Sequence, residues 1–95
     1  MAGYVILDIE VIDPAGYEEY KKLSPAAVAA YGGKFLVRGG KYEIVEGQWK
    51  PQRVVVLEFE SVARAKAWLE SPEYRPARLL RQKYAFTKAI IVEGA

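Results

Sequence analysis

Two glycine pairs bracket a short apolar segment and constrain the fold of this chain more than any other feature. Gly32-Gly33 precedes the run Lys34-Phe35-Leu36-Val37-Arg38, and Gly39-Gly40 follows it. Glycine admits the positive φ angles that are closed to most residues, and it lets neighbouring groups approach the backbone closely. A strand between two such pairs has defined ends, and we therefore expect its register in a sheet to be fixed.

Alternating and helical patterns in the rest of the chain predict an α+β arrangement. Residues Tyr4 to Val11 form a nearly continuous apolar run, which is typical of a central strand. Asp13-Pro14 indicates a helix start, and Ser24-Pro25 predicts an interruption because the residue before proline avoids the α region. The other predicted elements are a helical piece from Ala26 to Ala30, a strand from Phe35 to Val37 that can extend through Tyr42 to Val45, a strand from Arg53 to Phe59, a helix opened by Ser61, a helix from Arg75 or Pro76, and a strand from about Ala85 to Val92.

The order β-α-β-β-α-β is the split βαβ pattern of ferredoxin-like domains, and it predicts one antiparallel sheet with helices on one face. We expect a single domain over residues 1–95, since domains commonly have about 100–150 residues. The hydrophobic fraction of 52% predicts more apolar surface than one thin core can bury. A subunit interface is the expected place for the excess.

The residue types that the chain lacks restrict its chemistry. It has no histidine, cysteine or asparagine. This excludes zinc sites built on nitrogen or sulfur, thiol nucleophiles, histidine proton relays and the usual protein ligands of haem. We therefore expect neither a metal nor another cofactor. The serines, Ser24, Ser61 and Ser71, stand where helices are predicted to begin, and we expect them to cap those helices.

Charge and hydropathy restrict the partners. The formal net charge of +2 is too small to indicate nucleic acid or an anionic membrane as a partner. No apolar run approaches the ~18 residues that a membrane span needs, and the amino terminus lacks a signal-peptide pattern. Together with the absence of cysteine, these features predict a cytoplasmic protein.

Strand periodicity places charged residues on the sheet face that is turned away from the helices. Asp8 and Glu10 share that face of the first strand, Glu58 lies on it in the third, and Arg38 in the second. We expect these side chains to form a cross-sheet cluster. In one interpretation it is a polar site in an apolar cavity, where carboxylate pKa values rise enough for acid–base chemistry. In the other, which we favour, it is a partly buried ion-pair network that fixes the register of two subunits.

Two further groups of residues favour a structural role. The basic residues between Arg75 and Lys88 are uninterrupted by any acid, and we interpret them as the solvated face of an amphipathic helix. The aromatic residues of the helices are interpreted as core rather than as the lining of a pocket; they are Tyr17, Tyr20, Tyr31 and Trp68.

Motifs along nearly the whole chain are similar to those of one known family. The glycine pairs, Glu46-Gly47, the run from Val55 to Phe59, Ser71 to Tyr74 and Val92-Glu93-Gly94 resemble the domain-of-unknown-function 1330 family. The resemblance implies a ferredoxin-like fold that dimerises, close to the dimeric α/β-barrel proteins, which include cofactor-free oxygenases, isomerases and ligand-binding members. The chain matches the family pattern at Gly33, Phe35, Arg38, Gly39, Gly40 and Glu58, and departs from it at Glu60 and Leu69.

Together, the residues and the resemblance predict a cytoplasmic homodimer with a small-molecule ligand. One hypothesis is an enzyme without metal or haem that acts on a small, largely apolar carboxylic acid. In it, Arg38 holds the carboxylate or enolate of the substrate, and Glu58 or Asp8 moves a proton. The alternatives are a non-catalytic binding module that uses the same pocket, and a structural dimer whose charges serve assembly only. The sequence leaves the choice among the three open.

Overall fold

In a computed structural model of residues 1–95, the alternating segments form one four-stranded antiparallel sheet. Side chains of the two middle strands alternate between buried and half-buried, because one face of the sheet is covered and the other is open. The predicted ferredoxin-like α+β fold is confirmed. The strands are β1 (Gly3–Val11), β2 (Lys34–Arg38), β3 (Val54–Phe59) and β4 (Ala85–Glu93), in the spatial order β2-β3-β1-β4.

Three helices cover one face of this sheet and form the core with it. They are α1 (Pro14–Ala30), α2 (Val62–Leu69) and α3 (Arg75–Tyr84). Trp68 and Tyr74 are fully buried between the helices and the sheet. The assignment of Tyr17, Tyr20 and Trp68 to the core is confirmed, whereas Tyr31 lies at its edge. The buried apolar side chains of the sheet are those of Val5, Leu7, Ile9, Val55, Leu57, Phe59 and Ala85.

Side-chain caps define where α1 and α2 begin, whereas α3 has no side-chain cap. Asp13 Oδ1 accepts a hydrogen bond from the Gly16 amide at 3.2 Å, and Ser61 Oγ accepts one from the Arg64 amide at 3.1 Å. Such caps satisfy amide groups that have no partner inside the helix. As predicted, α3 begins at Arg75, with proline in its first turn.

The interruption expected at Ser24-Pro25 is wrong, because α1 continues through both residues to Ala30. Ser24 is therefore a buried residue in the middle of a helix and not a cap. Proline removes one hydrogen bond from the helix. Burial of Tyr20, Ala27 and Val28 on both sides of Pro25 holds the helix together, since packing of one face supplies most helical stability.

The expected extension of β2 through Tyr42 to Val45 is also wrong. Gly39 has a φ of 71°, which turns the backbone immediately after the strand. Its amide makes a last bond to the Val54 carbonyl oxygen at 2.8 Å, and residues 39–53 then contain no helix or strand.

The second face of the sheet is not covered by any helix of the chain. Apolar side chains lie on it near the centre, among them Ile6, Val56 and Ile90, and Ile90 is 59% exposed. None of the three helices is long and apolar enough to cross a membrane.

Candidate functional site

The three residues predicted to share a site lie in three different places. Asp8 and Glu58 both lie on the open face, as expected. The β1–β3 register pairs Tyr4 with Glu58 and Asp8 with Val54, which separates the two carboxylates by four residues along the strands. At about 3.3 Å per residue, this separation is roughly 13 Å. The two side chains therefore cannot act on one small group together.

Arg38 lies on the helix-covered face, so its expected pairing with Glu58 is wrong. The register passes from Phe35 opposite Leu57 to Val37 opposite Val56, which leaves Leu36 as the extra residue of a β-bulge. One extra residue moves every later side chain to the other face of the sheet. Arg38 thus lies beside the buried Val55, and its Nη2 donates to the main-chain oxygen of Lys21 at 3.0 Å.

Glu58 is held by a tyrosine at the far end of the open face. Its Oε2 accepts a hydrogen bond from the Tyr4 hydroxyl at 3.1 Å. This bond to a carboxylate, with the repulsion between the two negative charges, raises the pKa of Tyr4. Lys34, the register partner of Glu58 on β2, is exposed.

Asp8 is the best-positioned carboxylate of the open face. Its Oδ1 accepts from the Gln52 amide at 2.8 Å and its Oδ2 accepts from Trp49 Nε1 at 3.2 Å. Both donors belong to the irregular segment 39–53, which the sequence patterns do not connect with β1. Because two donors fix its two oxygens, the Asp8 carboxylate has a defined orientation.

A cleft of about 580 Å³ lies next to Asp8, within the usual range of small-molecule sites. Lys88, the register partner of Asp8 on β4, lies on one side of it. Trp49 and Phe86 supply aromatic walls, and Ile6 and Ile90 continue the lining toward the centre of the sheet. We call this space the Asp8 cleft. It brings together a fixed carboxylate, an amine and apolar walls.

Sequence reasoning missed Lys88 and Trp49 as members of this site. Alternation along the last predicted strand places Lys88 on the same face as Asp8, and this signal could have identified it. Trp49 has no such signal, because its segment has no period. No three His, Cys, Asp or Glu side chains lie close enough together to hold a metal ion.

The basic stretch from Arg75 to Lys88 is not wholly solvated. Arg81 is only 6% exposed, and its Nε donates to the Tyr74 hydroxyl at 3.2 Å. The Tyr74 hydroxyl lies 2.8 Å from that of Tyr20. Burial is the main cause that raises the pKa of Tyr74, and the nearby Tyr20 adds to the rise. Arg81, buried and bonded to Tyr74, is therefore an exception to the solvated basic face predicted from the sequence.

Comparison with solved structures shows the same fold in several proteins. A protein of unknown function from Rhodopseudomonas palustris, RPA0582, is 20% identical with a TM-score of 0.77, over 99% of this chain and 82% of that one. A dimeric ferredoxin-like protein of unknown function from Jannaschia sp. CCS1 is 11% identical with a TM-score of 0.72, over 99% and 100% of the two chains. SnoaB from Streptomyces nogalater, a cofactor-independent oxygenase, is 14% identical with a TM-score of 0.61, over 99% and 92%.

No protein with a curated description matches the sequence significantly. The model of one family, described as a domain of unknown function (DUF1330), matches residues 2–95 and thus nearly the whole chain. This extent agrees with the glycine pairs and the other motifs noted along the sequence. The chain belongs to the DUF1330 family.

Proposed function

We propose that this protein is a homodimer that binds a small, largely apolar carboxylic acid in the Asp8 cleft. The observation that carries the proposal is the fixed Asp8 carboxylate beside Lys88, between aromatic and aliphatic walls. Pockets for small molecules combine an apolar lining with a few well-placed polar groups. The Asp8 cleft has both kinds of group: most of the residues around it are polar, and its apolar side chains are Trp49 and Phe86, continued by Ile6 and Ile90.

Within the cleft, Lys88 and Lys50 are the cations for the carboxylate of the ligand. Asp8 keeps free lone pairs, since each of its oxygens accepts only one hydrogen bond and an ionised carboxylate has about four acceptor sites. Asp8 can therefore take a proton from the carbon atom that lies next to the carboxylate of a bound acid. Glu58 lies outside the cleft. Glu10 lines it, but no hydrogen-bond donor fixes its carboxylate as Trp49 and Gln52 fix that of Asp8, and we therefore assign the proton transfer to Asp8.

Dimerisation through the open face would close the cleft. Ile90 and Val92 are 59% and 43% exposed on that face. An uncovered apolar face is typical of an interaction surface. Several proteins with this fold are described as dimeric, including those from Jannaschia sp. CCS1 and Thermobifida fusca. Two sheets packed face to face would give the dimeric barrel implied by the family resemblance.

The alternatives from the sequence are a non-catalytic binder and a structural dimer. The bonds from Trp49 and Gln52 to Asp8 favour the structural alternative, because they also tie segment 39–53 to the sheet. Proteins of the same fold support the enzyme: SnoaB is described as a cofactor-independent oxygenase, and a protein from Nitrosomonas europaea as a putative antibiotic biosynthesis monooxygenase.

Native mass spectrometry of the protein purified from its source, followed by titration with a panel of small aromatic and aliphatic carboxylic acids, tests the proposal. We expect an acid that is retained on purification or binds on titration. Lys88→Gln should weaken its binding about tenfold, which corresponds to the loss of one charge-assisted hydrogen bond. Lys66→Gln, the same change on an exposed face of α2, should bind normally. Equal binding by both variants would place the ligand elsewhere. If the protein converts a bound acid, and Asp8→Asn abolishes this turnover while binding is retained, the protein is an enzyme and not only a binder.

A further inference from the structure

The outer edge of β4 carries main-chain groups without a partner. β4 is the last strand of the sheet and pairs only with β1. The Gly94 amide donates to the Ala2 oxygen and the Ile12 amide to the Tyr84 oxygen, both at 2.8 Å. Hydrogen-bonded pairs of an antiparallel ladder recur at every second residue, so these two bonds show that the even-numbered residues of β4 bond to β1. The N–H and C=O groups of its odd-numbered residues therefore point away from the sheet. They are those of Thr87, Ala89, Ile91 and Glu93.

The two edges of the sheet differ in how well they are protected. β2 is only five residues long, has a bulge at Leu36 and ends in the exposed charges of Lys34 and Arg38. These features keep other strands from pairing with an edge. β4 is nine residues long and pairs with β1 without a bulge or a proline. Ala89 is exposed although its side chain lies on the helix-covered side, so the helices leave the middle of this edge accessible. A long, regular edge is a template for a further strand.

The segment from Lys41 to Val45 has the pattern of a strand but no strand partner. Its apolar residues Tyr42 and Ile44 alternate with charged neighbours, as in a strand with one covered face. None of residues 40–52 makes a hydrogen bond between main-chain groups. Tyr42, Ile44 and Val45 are 48%, 46% and 91% exposed. The segment thus combines unpaired main-chain groups with apolar side chains that only another surface can cover.

Within one chain, this segment and the edge of β4 do not meet. β4 pairs with β1 alone, and none of residues 41–45 lines the Asp8 cleft beside β4. The proposed dimer would bring them together. A twofold axis that runs parallel to the strands, between two sheets packed face to face, places β4 of one subunit over the β2 edge of the other. β2 and β4 run in opposite directions in the sheet, so the two would be antiparallel at this seam.

We propose that residues 41–45 of each subunit add as a strand to the outer edge of β4 of the partner subunit. This inference rests on the proposed dimer, in which these residues follow directly after the β2 edge at the seam. Their main-chain groups would bond to the outward groups of Thr87, Ala89 and Ile91, and their apolar side chains would be covered. The two added strands would close the barrel, and closure removes the open edges of both sheets.

Amide hydrogen exchange of the full chain, measured by nuclear magnetic resonance alongside sedimentation at the same concentration, tests the proposal. We expect a dimer in which the outward amides of Ala89 and Ile91 exchange at least about tenfold more slowly than in an unfolded chain of the same sequence. Packing of the open faces alone gives these amides no acceptor. A monomeric chain would overturn this inference together with the proposed dimer. A dimer in which the Ala89 and Ile91 amides are unprotected would overturn this inference alone.

Two proline variants identify the strand that covers the edge. Adjacent amides of a strand point in opposite directions, so either Glu43→Pro or Ile44→Pro removes an amide that would bond to β4. At least one of them should speed exchange of the Ala89 amide about tenfold or more and weaken the dimer by a similar factor. Both should fold, because residues 40–52 make no main-chain bonds within the chain.

Gln48→Pro, in the same exposed segment but outside residues 41–45, is the matched control and should keep the Ala89 amide protected. Protection that survives both Glu43→Pro and Ile44→Pro would assign the edge to another strand, such as β4 of the partner subunit, and would overturn the proposal. Equal loss of protection in Gln48→Pro would also overturn it, since the effect would not belong to residues 41–45.

Discussion

The guanidinium of Arg38 donates a hydrogen bond to the main-chain oxygen of Lys21 at 3.0 Å. In a regular helix the amide four residues later, at position 25, would donate to that oxygen. Residue 25 is proline and has no amide hydrogen. An arginine from strand β2 thus replaces the helical donor that the sequence removes, and it joins the middle of α1 to the edge of the sheet.

This relationship predicts energetic coupling between positions 25 and 38. Arg38→Met should lower the free energy of unfolding by about 1 kcal/mol, because the Lys21 oxygen loses its donor. In a Pro25→Ala background the helix supplies that donor itself, and the same change should cost measurably less. A double-mutant cycle from urea unfolding measures the difference. Strictly additive effects of the two substitutions would show that Arg38 does not replace the missing amide donor of residue 25.

The two glycines after β2 should respond differently to alanine. Gly39 has a φ of 71°, and a Cβ placed there would clash with the guanidinium of Arg53. Gly40 has no positive φ, and nothing lies within 4 Å of its Cβ position. Gly39→Ala should therefore cost about 1 kcal/mol or more, while Gly40→Ala, its matched control, should be nearly neutral. Equal urea midpoints for the two variants would show that the backbone angle at Gly39 is not required.

The central elements could be predicted from the sequence because their signals are local. β1 and the Asp13 and Ser61 caps are read from neighbouring residues only, and the element order then selects the ferredoxin-like topology. The face on which Arg38 lies could not be predicted. It depends on the bulge at Leu36, and strict two-residue alternation along a strand does not predict where a bulge occurs. The contact of Trp49 with Asp8 joins residues 41 positions apart through a segment without a period.

Alkaline pH should destabilise the fold through Tyr74. Burial raises the pKa of Tyr74 above its unfolded value of about 10. The folded state therefore holds the phenol proton more tightly, so this stabilisation is complete below about pH 10 and is lost as pH rises toward the folded pKa. Urea midpoints from about pH 8 to 11 should fall for the parent chain.

Tyr74→Phe should be less stable at neutral pH, since Tyr20 and Arg81 lose their partner, but its decline above about pH 10 should be shallower. Tyr84→Phe, a change at a tyrosine of α3 whose hydroxyl makes no hydrogen bond, is the control and should retain the slope of the parent chain. A Tyr74→Phe slope as steep as that of the control would assign the alkaline instability to other groups.

The open face of the sheet should hold two subunits together. Ile90 is 59% exposed on this face, so Ile90→Lys should leave the monomer folded but place a charge in the interface. Leu79, 52% exposed on α3, lies on the helical side, and Leu79→Lys serves as the matched control. Sedimentation at micromolar concentration should give a dimer for the parent chain and for Leu79→Lys, and a monomer for Ile90→Lys. A monomeric parent chain, or a dimer for Ile90→Lys, would exclude the open face as the interface.

Asp8 should control the mobility of the segment that forms one wall of the cleft. Its Oδ1 accepts from the Gln52 amide at 2.8 Å and its Oδ2 from Trp49 Nε1 at 3.2 Å. The ends of segment 39–53 are bonded to the sheet through the Gly39 amide and the Arg53 carbonyl oxygen. Between these ends, the two bonds to Asp8 attach the segment to the sheet, and Trp49 is 62% exposed. Removing the carboxylate should therefore release the part of the segment around Trp49 and Gln52, while the core on the other face of the sheet stays folded.

Hydrogen exchange separates this local effect from a global one. In Asp8→Ala the Gln52 amide should exchange at least about tenfold faster, the equivalent of one lost hydrogen bond to a charged group of about 1.4 kcal/mol or more. The amides of β1 and β3 should keep their protection. Glu10→Ala removes a neighbouring carboxylate of the same cleft that makes no hydrogen bond to the segment, and it should leave Gln52 unchanged. Faster exchange of Gln52 in both variants would mean that the charge of the cleft, rather than the two bonds of Asp8, holds its wall in place.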